Sequence, residues 1–203
     1  MKLSGYVSLP DEWELPDLPP WDICIDIVAL IERTIEKLPA AFVRKAPGIA
    51  VHETATVEQG AVLKAPCIIG PDCFIAAYAY LRGGVWLDRG VITGPSVEIK
   101  SSLIGKGSKA AHFNFVGDSV IGSGVNIEAG AIIANYRNER ADKEIVCFDG
   151  ERLIRTGRDK FGSLVGDDCR IGANAVLAPG TILAPATVVP RLALVEQIAG
   201  RTG

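Results

Sequence analysis

The stretch "CIIGPDCFIAAYAYLRGGVWLDRGVITGPSVEI" (67–99) decides the architecture, because an aliphatic residue returns every sixth place along it. Ile69, Ile75, Leu81, Leu87 and Ile99 hold the phase, and Thr93 is the one polar member. The phase runs back through Leu63 and Val57 to Val51. Forward, it takes a five-residue step to Ile104, passes Ala110 and Val116, takes a second short step to Ile121, and continues to Ile127 and Ile133. It resumes at Val165, Ile171, Leu177, Leu183 and Val189. A second small or apolar series stands four places on, at Ala55, Ala61, Cys67, Cys73, Ala79, Val85, Val91 and Val97. Gly follows the first series at 70, 94, 105, 117, 122, 166 and 172.

A period of six is neither helical nor a simple alternating strand. It is the signature of a parallel β-helix, in which each repeat gives one short strand and a turn and three repeats close one triangular coil. The aliphatic residue points inward, and the residue after it starts the turn, where Gly is sterically easy. The expected fold class is therefore an all-β solenoid, a left-handed parallel β-helix. Its coils stack at about 4.8 Å, so about six to seven coils make a prism roughly 30 Å tall.

Composition narrows the function classes. A net charge of −3 offers no basic field for nucleic acid. The cysteines at 24, 67, 73, 147 and 169 form no CxxC pair, so neither a metal framework nor a disulfide framework follows. The first residues, "MKLSGYVSLPDEWELPDLPP", are acidic and proline-rich, unlike a secretion signal. No apolar run reaches the roughly 18 residues of a membrane span. These features predict a cytoplasmic, reduced protein.

The prism is expected to occupy 49–192, with a C-terminal tail at 193–203. Before it, 1–48 should hold an extended, partly mobile segment and one amphipathic helix over 20–38, capped by Asp22 and packed on the open first coil. The period fails over about 138–161, where "EIVCF" and "RLIRT" flank Asp149-Gly150, a strong hairpin signal. That hairpin is either a tolerated surface insertion or a flap over a cleft.

In a repeat, the informative residues are those that depart from it. His112, Asn114, Asn126, Asn135 and Tyr136 cluster within two coils. Coil spacing places Arg82 beneath Lys100, with Phe115 near the end of that column. Two cations and an aromatic ring suit an anionic, partly apolar ligand such as a sugar phosphate, although solvated surface charges are the commoner explanation of any such pair. An isolated histidine is more often a satisfied structural residue than a catalyst, yet neutral imidazole near pH 7 is the default general base. Asn126 and Asn135 suit sugar hydroxyls or an acyl-thioester arm, though Asn is also a common turn residue.

The stretch "VEIKSSLIGKGSKAAHFNFVGDSVIGSGVNIEAGAIIANY" (97–136) resembles the acetyltransferase domain of the bifunctional UDP-N-acetylglucosamine pyrophosphorylase/glucosamine-1-phosphate acetyltransferases, both short steps included. "PWD" (20–22) is similar to the linker into that domain, and the hairpin before "KFGSLVGDD" (160–168) resembles archaeal-type sugar-1-phosphate nucleotidylyltransferase/acetyltransferases. The resemblance implies a homotrimer that transfers an acetyl group from acetyl-CoA to an amino-sugar phosphate or nucleotide amino sugar, with no metal. It implies His112 as general base, Arg82 and Lys100 on the 1-phosphate, and Asn126 on a sugar hydroxyl. Asn135 and Tyr136 are placed beside the amine and the thioester, Lys160 reaches across the trimer to the substrate, and Ala173 borders the acyl-CoA arm. Phe115 stands where the family has a phosphate-binding tyrosine, so one donor is missing. No nucleotidyltransferase domain is expected in this chain, which makes a separate nucleotidyltransferase a candidate partner.

Two other readings stay in view and a third is excluded. Sugar O-acylation, or transfer from acyl carrier protein, needs the same base. A non-catalytic sugar-phosphate-binding scaffold fits the change at Phe115. A γ-type carbonic anhydrase needs three histidine ligands and fails, because only His52 and His112 exist.

Overall fold

In the computed structural model, which describes residues 2–8 and 14–197, the repeat winds into a parallel β-helix with three flat faces. On the first face Val51, Ile69, Leu87, Ile104, Ile121, Val165 and Leu183 stand in one inward column. The second face is a 7-stranded parallel sheet running from Thr56–Val57 to Val188–Val189. Its inward column passes through Ile75, Thr93, Ala110, Ile127 and Ile171. The third carries Leu63, Leu81, Ile99, Val116, Ile133, Leu177 and Val195. These columns and the second small series form one core cluster. Ile121 stands opposite Val165, so the hairpin between them interrupts the sequence without interrupting the stack.

The two short steps are held by hydroxyls that the period does not reveal. Ser102 Oγ donates to Lys100 O and accepts the Ser119 N–H, and Ser119 Oγ donates to Gly117 O and accepts the Ser163 N–H. Each buried hydroxyl thus serves backbone groups that a shortened corner would otherwise leave unpaired.

The first face is buried on both sides. Its outward residues Ala50, Ile68, Trp86, Leu103, Val120, Leu164 and Ile182 are all at most 5% exposed. The expected single helix is two, α1 (Pro20–Ile25) and α2 (Ile27–Lys37), broken at Asp26. Neither caps the open first coil. Ile23, Ile27, Leu30, Ile31 and Ile35 lie along the face against Ile68, Trp86 and Leu103, each such side chain contributing about 1.5–3 kcal/mol of apolar burial. The first coil is covered instead by Phe42–Ala46, antiparallel to Ile49–His52, which pairs an edge that would otherwise template aggregation. Asp22 makes no capping bond. It sits in the first turn of α1 and accepts Arg158 Nε and Nη2 at 3.0 and 2.7 Å.

The hairpin Val146–Phe148/Leu153–Arg155 forms, and the Asp149 carboxylate accepts the N–H groups of Arg152 and Glu151 in its turn, which lowers its pKa. It is no flap. Ile145 and Cys147 are fully buried and pack with Trp21, Val120, Phe161 and Leu164 over the far half of the first face. The N-terminal residues are also tied down: Val7 is buried, and Ser8 N–H bonds to Asp167. The mobility expected of 1–19 falls partly on residues 1 and 9–13, and the expected tail partly on 198–203, outside the described residues. The last pairing sets Leu194–Val195 on Val176–Leu177. All five cysteines are free and buried, and burial pushes the Cys67, Cys73 and Cys147 thiols up to about 12, far from the reactive thiolate range.

Candidate active site

With one face covered by the chain's own helices and hairpin, the second and third faces remain open. The corner between them repeats a left-handed backbone residue coil after coil: Gly60, Tyr78, Ser96, Phe113, Gly130, Asn174 and Leu192. Gly, Asn and Ser are unsurprising there, but bulky residues are disfavoured. Phe113 is nonetheless 68% exposed at φ +53°.

His112 precedes it on the same corner, with an exposed ring that makes no hydrogen bond among the described residues. Its carbonyl accepts the Gly130 N–H at 2.9 Å. The corner is pinned from below by Asn114, whose Nδ2 donates to the carbonyls of Glu128 and Ala131 at 2.7 and 3.2 Å. Asn114 is therefore a structural clip, buried and turned inward.

The opposite corner of the third face collects the charges. Arg82 stands opposite Lys100, and Lys100 opposite Gly117, as the coil arithmetic required. Two carboxylates that sequence reasoning did not single out meet these cations. Arg82 binds Glu98 at 2.7 Å and lies over the Tyr80 ring, while Lys100 Nζ reaches both oxygens of Asp118 at 2.8 and 2.7 Å. The signal was available, since Asp118 stands one residue past the Gly117 that lies one coil on from Lys100, but an acidic residue after a turn Gly reads as ordinary turn chemistry. Phe115 lies between the two corners and folds its ring over Gly117. A Cβ at Gly117 would sit 2.7 Å from Phe115 Cζ and 2.8 Å from Asn135 Cγ. Lys160 stands beside Asn135, because the next residue, Phe161, donates its N–H to the Asn135 carbonyl at 3.1 Å. Tyr136 is partly exposed with the Lys143 ammonium 5.4 Å from its ring centre.

Asn126 belongs elsewhere in the single chain, whereas Ala173 holds the His112 position two coils on, since Gly130 N–H bonds to the His112 carbonyl and Asn174 N–H to that of Ala129. Asn126 is on the second face, opposite Lys109 and Arg170. It borders a groove of about 240 Å³ shared with Glu128, Arg170, Gly172 and Arg191. Ala173 N–H donates to Glu128 at 2.9 Å, and Arg191 grips the same carboxylate, holding it below the usual carboxylate range. The site residues thus fall into three groups: Arg82, Lys100, Asn135, Tyr136 and Lys160 toward one end of the third face, with the Phe115 ring reaching over Gly117 to meet them; His112 and, two coils on, Ala173 at its other corner; and Asn126 on the second face. No group of three or more metal-ligating side chains occurs among the described residues, and no helix there is long and apolar enough to cross a membrane.

These features define a hexapeptide-repeat β-helix with an exposed corner histidine and a polar cluster across the adjoining face. Comparison with known proteins makes the relation specific. The family profile for the GMPPB C-terminal domain matches residues 46–145. A bifunctional protein GlmU of Heliobacterium modesticaldum is 36% identical over 64% of this chain and 27% of its own length. A bifunctional sugar-1-phosphate nucleotidylyltransferase/acetyltransferase of Sulfurisphaera tokodaii is 39% identical over 65% of the chain and 32% of its length. A bifunctional protein GlmU of Pelotomaculum thermopropionicum is 36% identical over 64% and 22%. The chain is similar to the C-terminal, β-helical domain of these bifunctional sugar-1-phosphate nucleotidyltransferase/acetyltransferases. It spans about a quarter to a third of the length of the curated relatives it matches.

Proposed function

We propose that the protein is a homotrimeric N-acetyltransferase that moves the acetyl group of acetyl-CoA to the amine of an amino-sugar phosphate or nucleotide amino sugar, with His112 as general base. The observation that carries this reading is the third face itself. A solvent-facing imidazole stands at one end and the Arg82–Lys100 pair at the other. Five residue steps lead from His112 to Gly117, at most about 18 Å of chain, and a bent corner shortens that to the scale of a sugar phosphate.

In the reaction, the neutral amine attacks the thioester carbonyl carbon and His112 accepts the proton released as the C–N bond forms. A backbone N–H beside Asn135 stabilises the oxyanion. The C–S bond then breaks, and the proton on His112 goes to the departing thiolate. Arg82 and Lys100 hold the phosphate, Asn126 a hydroxyl, and Lys160 reaches in from a neighbouring subunit. Asn135 and Tyr136 flank the amine and the thioester. For acetyl-CoA itself, the groove beside Gly172 and Ala173 offers small residues and the guanidiniums of Arg170 and Arg191, a donor set that suits its phosphates.

The trimer reading is supported by what the open faces carry. Phe74, Ile92 and Val188 are exposed on the second face, Val62 and Leu194 on the third, and Tyr78, Phe113 and Leu192 on the corner between them. Packing these two faces against two neighbours buries that apolar surface under closed three-fold symmetry and sets the His112 corner in a cleft between subunits.

The test is to mix the protein with acetyl-CoA and glucosamine 1-phosphate and follow free thiol and product mass. Thiol release with an amide product, lost in His112→Ala, is the expected result; an ester product would transfer the reading to O-acylation. A second reading, a non-catalytic sugar-phosphate scaffold, is favoured by Phe115 and by the carboxylates already on both cations. Calorimetry with acetyl-CoA separates the two, since a pure sugar binder takes up none.

A further inference from the structure

One carboxylate ties together the polar groups at the charged corner. Asp118 receives Lys100 Nζ on both oxygens, and its Oδ2 also receives Asn135 Nδ2. Its side chain is only 10% exposed. An ionised carboxylate accepts hydrogen bonds and donates none. The group of Asn135 that meets it must therefore be the NH₂, and the carbonyl Oδ1 is turned away from Asp118.

Two local features keep this arrangement in place. Gly117 leaves the room in which the amide lies, because a Cβ there would come within 2.8 Å of both Asn135 Cγ and Nδ2. Asp118 itself sits at φ +45°, in a corner column that continues through Ser101 at +47° and Gly83 at +69°. Left-handed backbone is sparsely populated by non-Gly residues and is held only where surroundings over-determine it. Here the surroundings are the Lys100 carbonyl, which accepts the Asp118 N–H at 2.8 Å, and Gly162, whose N–H bonds to the Asp118 carbonyl at 2.9 Å.

We infer that Asp118 is a positioning residue: it fixes the amide face of Asn135 and the ammonium of Lys100 together, so that Asn135 Oδ1 is offered to an N–H of the acceptor amine. The inference rests on the N-acyl-transfer reading. A neutral amine has two hydrogens and one lone pair. With one N–H held by Asn135 Oδ1, the lone pair is left free for the thioester carbon. A flipped amide would present NH₂, which donates to the amine lone pair and ties up the electrons needed for attack.

Asp118→Asn keeps the shape but provides one acceptor oxygen for two donors. It is expected to lower kcat/KM for acetyl transfer to glucosamine 1-phosphate by about 10- to 100-fold, the range usual for groups that orient a reacting residue. Asn135→Ala should do the same, and in kcat the double variant should be no worse than the weaker single one, because Asp118 acts on the chemical step through Asn135 while its hold on Lys100 is read in KM. Losses that multiply, or an Asp118→Asn variant with wild-type turnover, would overturn the inference. A second readout is independent of turnover. In the wild-type protein the Asn135 side-chain amide protons should resonate downfield and exchange slowly, and the signature should collapse in Asp118→Asn. An Asn135 amide with solvent-like shifts and exchange sinks the geometry. A wild-type protein that shows this signature but transfers no acetyl group instead sinks the proposed function.

Discussion

His112 and Lys100 occupy opposite corners of the same face, the first on the turn before Phe115, the second paired in register with Gly117 just beyond it. The corners do different chemical work. His112→Ala removes a proton acceptor and is expected to lower kcat by 10²- to 10⁴-fold with little change in KM for the sugar. Lys100→Met removes a phosphate partner and should act mainly on that KM. Steady-state kinetics on the pair decide it. A Lys100 variant that lost only kcat would place the phosphate elsewhere.

Phe115→Tyr restores a hydroxyl on Cζ, the ring atom lying against Gly117 and so beside the Lys100 register. A hydrogen bond to a charged phosphate contributes about 1.5–3 kcal/mol when well formed. The variant is expected to bind glucosamine 1-phosphate roughly 10-fold more tightly, read by calorimetry. Unchanged affinity, with binding of a nucleotide-linked sugar weakened, would indicate that the phenyl ring is the recognition element.

Thr93 is the one polar member of the inward columns, fully buried, and its Oγ1 has no hydrogen-bond partner among the described residues. An unpaired buried hydroxyl costs about 1–3 kcal/mol. Thr93→Val keeps the branched shape and should raise stability by about 1 kcal/mol, seen as a higher urea midpoint at unchanged slope. A lower midpoint would mean that the hydroxyl has an unseen partner such as a buried water.

What the sequence revealed and what it hid divide along physical lines. The six-residue phase fixed the three inward columns from Val51 to Val189, because only an aliphatic side chain fits where no backbone group can pair with it. It also gave the Arg82–Lys100–Gly117 column, which is register arithmetic. The double burial of the first face was written in three-residue apolar runs such as Val85-Trp86-Leu87, the pattern of strands covered on both sides. The inward period drew attention away from it, and with it went the course of the two helices and the seat of the hairpin. Glu98 and Asp118 escaped for another reason: a surface acid is ordinary until its partner is seen. His112 and Ala173 share one corner column, which is again register, but whether Asn126 joins them depends on how copies pack, which single-chain periodicity does not encode.

Arg137 carries the last prediction. Its side chain is only 3% exposed and is bound to Glu196, with Nη2 also donating to the Pro179 carbonyl at 2.9 Å. It joins the start of the hairpin segment to the final coil. A buried ion pair adds little over a well-packed apolar pair, but removing one partner strands the other at a cost of about 3–5 kcal/mol. Glu196→Ala is therefore expected to be strongly destabilising, because the guanidinium loses its counter-charge and keeps only a carbonyl and the exposed Glu139. The double variant Arg137→Met/Glu196→Leu should recover most of that loss. Denaturant midpoints for Arg137→Met, Glu196→Leu and the double variant measure the coupling directly, and a double variant no more stable than Glu196→Ala would show that the pair is needed for the hairpin to seat at all.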